Sequence, residues 1–206
     1  MGPYDPFAEV EQTFVYFGSQ KTFLSTNNMF YTRPVVNASG LHYFTDIQPQ
    51  TTNTMRISQA SDFAEEVETL QPMDQFAIYS TLSFPVSTDI LPKVHSLWKN
   101  ATSTLALAHP NITSVLTFQS IPPPPQVNAP QNSLGFAPGS TPHENIVLAL
   151  FSFYWPDATD STSVDSVAKS LVMSVQQLVG EEIKFKYLNY AAAWQDPIGS
   201  YGGGAA

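Results

Sequence analysis

Apolar residues recur at two periods along this chain, and the alternation between the periods sets out its elements. Helical spacing is clear in three places. Asp62 and Glu65 have capping-box spacing, Phe63, Val67 and Leu70 share one helical face, and Pro72 follows the stretch. From about Ser87 to Ala108, Ile90, Leu91, Val94, Leu97, Trp98, Ala101 and Leu105 form a second stripe, with Pro92 tolerable in the first turn. From about Ser161 to Val179, Val164, Val167, Ala168, Leu171, Val172, Val175 and Leu178 form a third, which Gly180 ends.

Between the helices lie runs rich in β-branched and aromatic residues. Thr13–Phe17, Gln75–Phe84, Ser114–Ser120, Asn145–Trp155 and Phe185–Ala192 read as strands, with fainter strand patterns at Leu41–Ile47 and Thr54–Ile57. Some runs alternate and some, such as Ile146–Phe151, are continuously apolar. That mixture suits a sheet with helices on one face and a ligand or partner on the other. The predicted fold is α+β: one largely antiparallel sheet with about three helices packed on one face. Ile121–Pro142, with Pro122-Pro-Pro-Pro125, reads as a long ordered loop within one domain spanning residues 1–201. Residues 202–206, Gly-Gly-Gly-Ala-Ala, read as a flexible tail.

Composition narrows the function. The 206 residues are 43% hydrophobic and 13% aromatic, a globular composition with enough rings to line an apolar pocket. A net charge of -9 with only 8 Lys+Arg argues against nucleic acid and against an anionic membrane surface. The absence of cysteine excludes disulfides, thiolate metal sites and cysteine nucleophiles. The sequence shows no export-signal pattern or membrane-spanning apolar run, so a cytoplasmic location is expected. Asn37-Ala-Ser, Asn100-Ala-Thr and Asn111-Ile-Thr are glycosylation-type triplets.

The candidate chemistry is sparse. No P-loop, dinucleotide fingerprint or serine elbow occurs, and no His pair has metal-ligand spacing, so no metal is predicted. Among the histidines, His42 beside Tyr43 is the best acid–base candidate; His95 and His109 suit a helix face and a helix end, and His143 a loop. Alternation along Gln75–Phe84 puts Tyr79 and Thr81 on one face, where they line either a site or plain sheet surface. Phe118 and Gln119 stand near a strand end. Arg33 is one of few cations and suits either a ligand oxygen or a structural ion pair.

The stretch Tyr187-Leu-Asn-Tyr-Ala-Ala-Ala-Trp-Gln-Asp-Pro-Ile-Gly-Ser-Tyr201 names a family. So do Asn53-Thr-Met-Arg-Ile-Ser-Gln-Ala-Ser-Asp-Phe63, Gln131-Asn-Ser-Leu-Gly135 and Trp155-Pro-Asp-Ala-Thr-Asp160, in the same order. Together they resemble the substrate-binding lobe of fungal FAD-linked oxidoreductases, the berberine-bridge-enzyme-like, PCMH/VAO-type group. In that family the Tyr-x-Asn-Tyr strand faces flavin and substrate. The resemblance therefore implies that Asn189 or Tyr190 stands beside the reacting centre, with Tyr187 a second-rank candidate, and it puts Asn132 among the substrate-binding candidates; the residues alone equally suit a core Tyr190 and an Asn189 that caps a neighbouring strand. As a strand, the segment would turn Tyr187 and Asn189 one way and Tyr190 the other.

The sequence departs from the family in lacking a glycine-rich pyrophosphate loop and a His or Cys for covalent flavin attachment, so no cofactor is expected on this chain alone. Two functions follow. One is a free-standing, cofactor-independent cyclase, isomerase or pericyclase acting on a bulky apolar metabolite of fungal secondary metabolism. The other is the non-catalytic half of a split FAD-linked oxidoreductase. The expected partners are a small apolar metabolite and, through the uncovered sheet face, either a second copy or a flavin-binding chain.

Overall fold

The computed structural model describes residues 5–69, 73–122, 145–181 and 183–201. Five strands form one sheet: β1 (Ala8–Phe17), β2 (Thr22–Tyr31), β3 (Phe76–Pro85), β4 (Thr113–Ile121) and β5 (Ile146–Trp155). Their spatial order is β2-β1-β4-β5-β3, and every neighbouring pair is antiparallel. β3 and β4 both run antiparallel to β5, so they are parallel to each other, and helix α3 (Ile90–Ala108) crosses over between them. Helix α4 (Ser161–Val179) follows β5.

Period-two alternation decides what each face buries. Tyr16, Leu116, Phe118, Phe151, Phe153, Leu82 and Phe84 meet Val94, Trp98, Leu105, Val164, Ala168 and Val175 from α3 and α4 in the main core. Inside it, the indole N–H of Trp98 donates to Ser114 Oγ at 2.8 Å, and Ser114 is also hydrogen-bonded to Thr102 Oγ1 at 2.8 Å. That cluster is satisfied, whereas the buried Ser80 hydroxyl, in register with Phe151 and Leu116, has no hydrogen-bond partner among the described residues.

The α+β reading, with its antiparallel sheet and one helix-bearing face, matches the structure. Several elements differ. β2 is absent from the sequence reading because Thr22-Phe-Leu-Ser-Thr-Asn-Asn-Met-Phe-Tyr31 has little alternation. It is an edge strand, and its pairing with β1 rather than its own pattern makes it one. The faint strand at Leu41–Ile47 is instead a short helix, α1 (His42–Thr45), and Thr54–Ile57 belongs to no strand. The first predicted helix exists as α2 (Ala60–Thr69) but buries none of its residues, so only α3 and α4 cover the sheet. Its Glu66 pairs with Arg56 at 2.5 Å, and Arg56 lies over the Phe63 ring, a local cluster outside the core. Phe185–Ala192 is not a strand either: it is extended backbone broken by a 3₁₀ turn at Leu188–Tyr190. Most of the proline-rich segment, with Asn132 and His143 in it, lies outside the described residues.

Candidate functional site: the tyrosine-bearing face of the sheet

The face away from the helices is read row by row from the strand register. One row is Asn28, Glu11, Gln119, Leu148 and Ser83. The next is Thr26, Thr13, Thr117, Leu150 and Thr81. The third is Leu24, Val15, Val115, Ser152 and Tyr79, and the fourth contains Tyr154. The middle of this face is hydroxyl-lined. Thr13 and Thr117 share a buried hydrogen bond at 3.0 Å, and the Tyr79 and Tyr154 hydroxyls meet at 2.7 Å.

The segment from Ile183 to Tyr201 straps across one end of this face. After α4, Gly180 adopts a positive φ of 76°, a backbone conformation that favours glycine although a side chain there would meet open space, and it redirects the chain. Ile183 and Phe185 then pack on Ile146 and Leu148, with Ile121, Tyr187, Tyr190 and Tyr201 around them. Further on, the Gln195 amide takes the place of a neighbouring strand on the edge of β3. Its Oε1 accepts from the Thr81 N–H at 3.0 Å and its Nε2 donates to the Thr81 carbonyl at 2.7 Å. Trp194 reaches back over the edge into the helix-side core and donates to Asp165 of α4 at 3.1 Å.

The strap delivers Tyr190 to the sheet. Gln119 Nε2 donates to the Tyr190 hydroxyl at 3.2 Å and to Glu11 Oε1 at 2.5 Å, while Glu11 Oε2 accepts from Asn28 Nδ2 at 3.1 Å. The 3₁₀ turn sets Tyr187 against Tyr190 edge to face at 4.9 Å, and Asn189 Nδ2 donates to the Tyr187 hydroxyl at 2.9 Å. Burial raises the Tyr190 phenol above its ordinary value, and the charges of Glu11, Tyr187 and Tyr79 act in the same direction against the lowering donation from Gln119. Burial and the bond to Tyr79 also raise Tyr154. Both phenols are therefore neutral donors at physiological pH.

The candidates from sequence thus separate. Tyr190, Tyr187, Asn189, Gln119 and Tyr79 share this face. Asn189 is exposed and touches Tyr187, so it supports the pair from outside. Thr81 is fully buried, and its hydroxyl donates to the Ala149 carbonyl at 2.9 Å, so it anchors the strap and has no free group for a ligand. Phe118 points the other way, into the helix-side core against Phe14 and Phe84. Alternation separates it from its neighbour Gln119. Arg33 is exposed after β2, with its guanidinium 3.5 Å from the centroid of the Phe7 ring. His42 is exposed on α1 in a shallow cleft with Tyr43, Asp46 and Ile47. Glu11, Tyr154 and Gln195 were missed. Glu11 is separated from Gln119 by over a hundred residues, Tyr154 is hidden in an apolar run, and Gln195 acts on backbone, which has no sequence signature.

A cleft of about 450 Å³ lies elsewhere, where α3 ends and α4 begins, lined by His109, Asn111, Ile112, Trp155, Asp157 and Asp160 among others. His109 Nδ1 is 3.2 Å from Asp160 Oδ1 and its Nε2 is 2.9 Å from Ser163 Oγ. This has the order of a hydrolytic triad. Ser163 does not line the cleft, however, and the trio ties the end of one helix to the start of the next. No helix covers this sheet face, yet its centre is shielded from solvent: Thr13, Thr117, Leu148, Thr81, Ser152 and Tyr154 are all buried. Its convergent polar groups, rather than cleft volume, make it the candidate site. Among the described residues no group of three or more acidic or histidine side chains is placed to hold a metal, and no helix is long and apolar enough to cross a membrane.

This geometry gives a sheet-and-helix unit with a donor-bearing face, and comparison with known proteins finds fungal flavin enzymes. The chain is 26% identical over 171 residues to the FAD-dependent monooxygenase FUP4 of Fusarium proliferatum (strain ET1), covering 75% of this chain and 31% of that protein. It is 23% identical over 184 residues to the FAD-dependent monooxygenase drtC of Aspergillus calidoustus, covering 87% of this chain and 35% of that protein. The chain therefore spans about a third of the length of these relatives. No family model and no solved structure matches it.

Proposed function

We propose that this chain is the substrate-facing wall of a flavin-dependent oxidoreductase of the berberine-bridge-enzyme-like type, acting on a bulky apolar metabolite. The observation that carries the reading is the strap: it delivers Tyr190 onto Gln119 on the face that the helices leave uncovered. In this reading Tyr190 donates a hydrogen bond or proton to the substrate, Tyr187 and Asn189 hold it, and Tyr79 with Tyr154 forms a second polar anchor.

The described residues do not fit FAD by themselves. A pyrophosphate needs converging backbone donors, commonly in a glycine-rich loop. Here Gly18 abuts the carbonyls of Pro110 and Ile112, Gly40 faces the Asp5 carboxylate, and Gly199 faces that of Asp196. Acceptors and carboxylates repel phosphate. The flavin-holding elements would therefore come from outside the described residues, in the same polypeptide or in a partner chain closing on the tyrosine face. A homodimer using that face is the alternative cover.

The test is reconstitution. Alone, the chain is expected to leave the spectrum of added FAD unchanged. Mixed with the flavin-binding portion of the Fusarium relative, it should form a yellow complex. In that complex Tyr190→Phe should slow flavin reduction by added metabolite roughly a hundredfold. A second reading, a cofactor-independent cyclase or isomerase, is favoured by the two donor pairs, Tyr79–Tyr154 and Gln119–Tyr190, which polarise a carbonyl without redox chemistry. Metabolite conversion by the chain alone, followed by mass spectrometry, would replace the first reading with the second.

A further inference from the structure

The hydrogen-bond sense of the Glu11–Gln119–Tyr190 chain is fixed by chemistry. An ionised carboxylate only accepts, whereas a primary amide has two donors on nitrogen and an acceptor on oxygen. Gln119 must therefore turn Nε2 toward Glu11; the flipped amide would set its carbonyl against the carboxylate. Glu11 is held in turn from the other side by Asn28. The second hydrogen on Gln119 Nε2 goes to the Tyr190 oxygen. With that oxygen accepting from Gln119, the Tyr190 proton points elsewhere, and no described residue accepts it. Burial keeps the phenol protonated.

We infer that Glu11, acting through Gln119, is a positioning residue that fixes Tyr190 as a hydrogen-bond donor. The face then selects a neutral, carbonyl-bearing ligand over a carboxylic acid. The inference rests on the proposal that this face meets the substrate. Glu11 excludes acids by the same charge that orients the amide, and the chain's net charge of -9 adds to the exclusion.

Three matched probes test it on the whole chain: 2-acetylnaphthalene, 2-ethylnaphthalene and 2-naphthoate, each titrated while the ring resonances of isotope-labelled tyrosines are followed. The ketone is expected to bind about three- to tenfold more tightly than the hydrocarbon, the range of one net hydrogen bond, and more tightly than the acid. Tyr190→Phe should abolish the preference for the ketone. Glu11→Ala, which frees the amide to turn, should abolish most of it. Glu11→Gln should keep it, since its carbonyl still accepts from Gln119, while improving naphthoate binding. A purely structural role for Glu11 would shift melting temperature and weaken all three probes together. Equal binding of ketone and hydrocarbon, or an unchanged preference in a folded Glu11→Ala, would overturn the inference. Failure of all three probes to bind would overturn the reading of the face itself.

Discussion

Tyr187 and Tyr190 meet because they stand three positions apart in a turn rather than a strand, and single-residue effects of this kind dominate the site. Tyr154 illustrates the energetics. Burial raises its pKa in the fold above the ordinary phenol value, so the folded state holds the proton more tightly than the unfolded chain. Its stabilising contribution is therefore fully present below about pH 10 and is lost as pH rises through the folded value. Tyr154→Phe is expected to flatten the fall of melting temperature between pH 9 and 11; an unchanged slope would show that burial does not hold this proton. In the core, Ser114→Ala would leave the Trp98 indole N–H without an acceptor and Thr102 without its partner. A loss of about 1–3 kcal/mol is expected in urea denaturation.

The elements most sensitive to change are those that place the strap and the first hairpin. Gln195 satisfies both backbone groups of Thr81 on the β3 edge, so Gln195→Ala should cost about 1–3 kcal/mol. The same change should speed amide exchange at Thr81, which a simple loss of core packing would not do selectively. In the turn between β1 and β2, the Gly18 N–H donates to the Ile112 carbonyl at 2.8 Å. A methyl group at position 18 would run into the Pro110 and Ile112 carbonyls. Gly18→Ala is expected to destabilise by about 1–3 kcal/mol, read by thermal melting, because backbone cannot yield as a flexible side chain can.

At the scale of the whole molecule, Trp194 ties the strap to the helix layer. Trp194 lies in the strap, packs into the helix-side core and bonds to α4, so tyrosine face and helix layer share a contact. We expect residues 1–201 to unfold as one cooperative unit, with tryptophan fluorescence and far-ultraviolet circular dichroism giving coincident transitions. Two separated transitions would mean that the strap melts independently, and Trp194→Ala should produce that outcome if Trp194 is the stitch.

Periodicity made α3 and α4 legible, since a buried stripe on a helix needs no distant partner to be recognised. The same held for β3, β4 and β5, whose side chains are confined by packing on both faces. Tyr190, Tyr187, Asn189, Gln119 and Tyr79 were also visible as candidates, through motif and residue type. What sequence could not carry was adjacency. β2 is a strand because β1 pairs with it, and Phe118 and Gln119 part company because a helix layer claims one face. The Tyr-Leu-Asn-Tyr stretch turns rather than extends because Gln195 and Trp194 pin its far end to β3 and α4. Glu11 reaches Gln119 only through strand register. Local pattern is dictated by side-chain burial and is written residue by residue. The site is dictated by which distant backbones lie side by side, and only the folded sheet decides that.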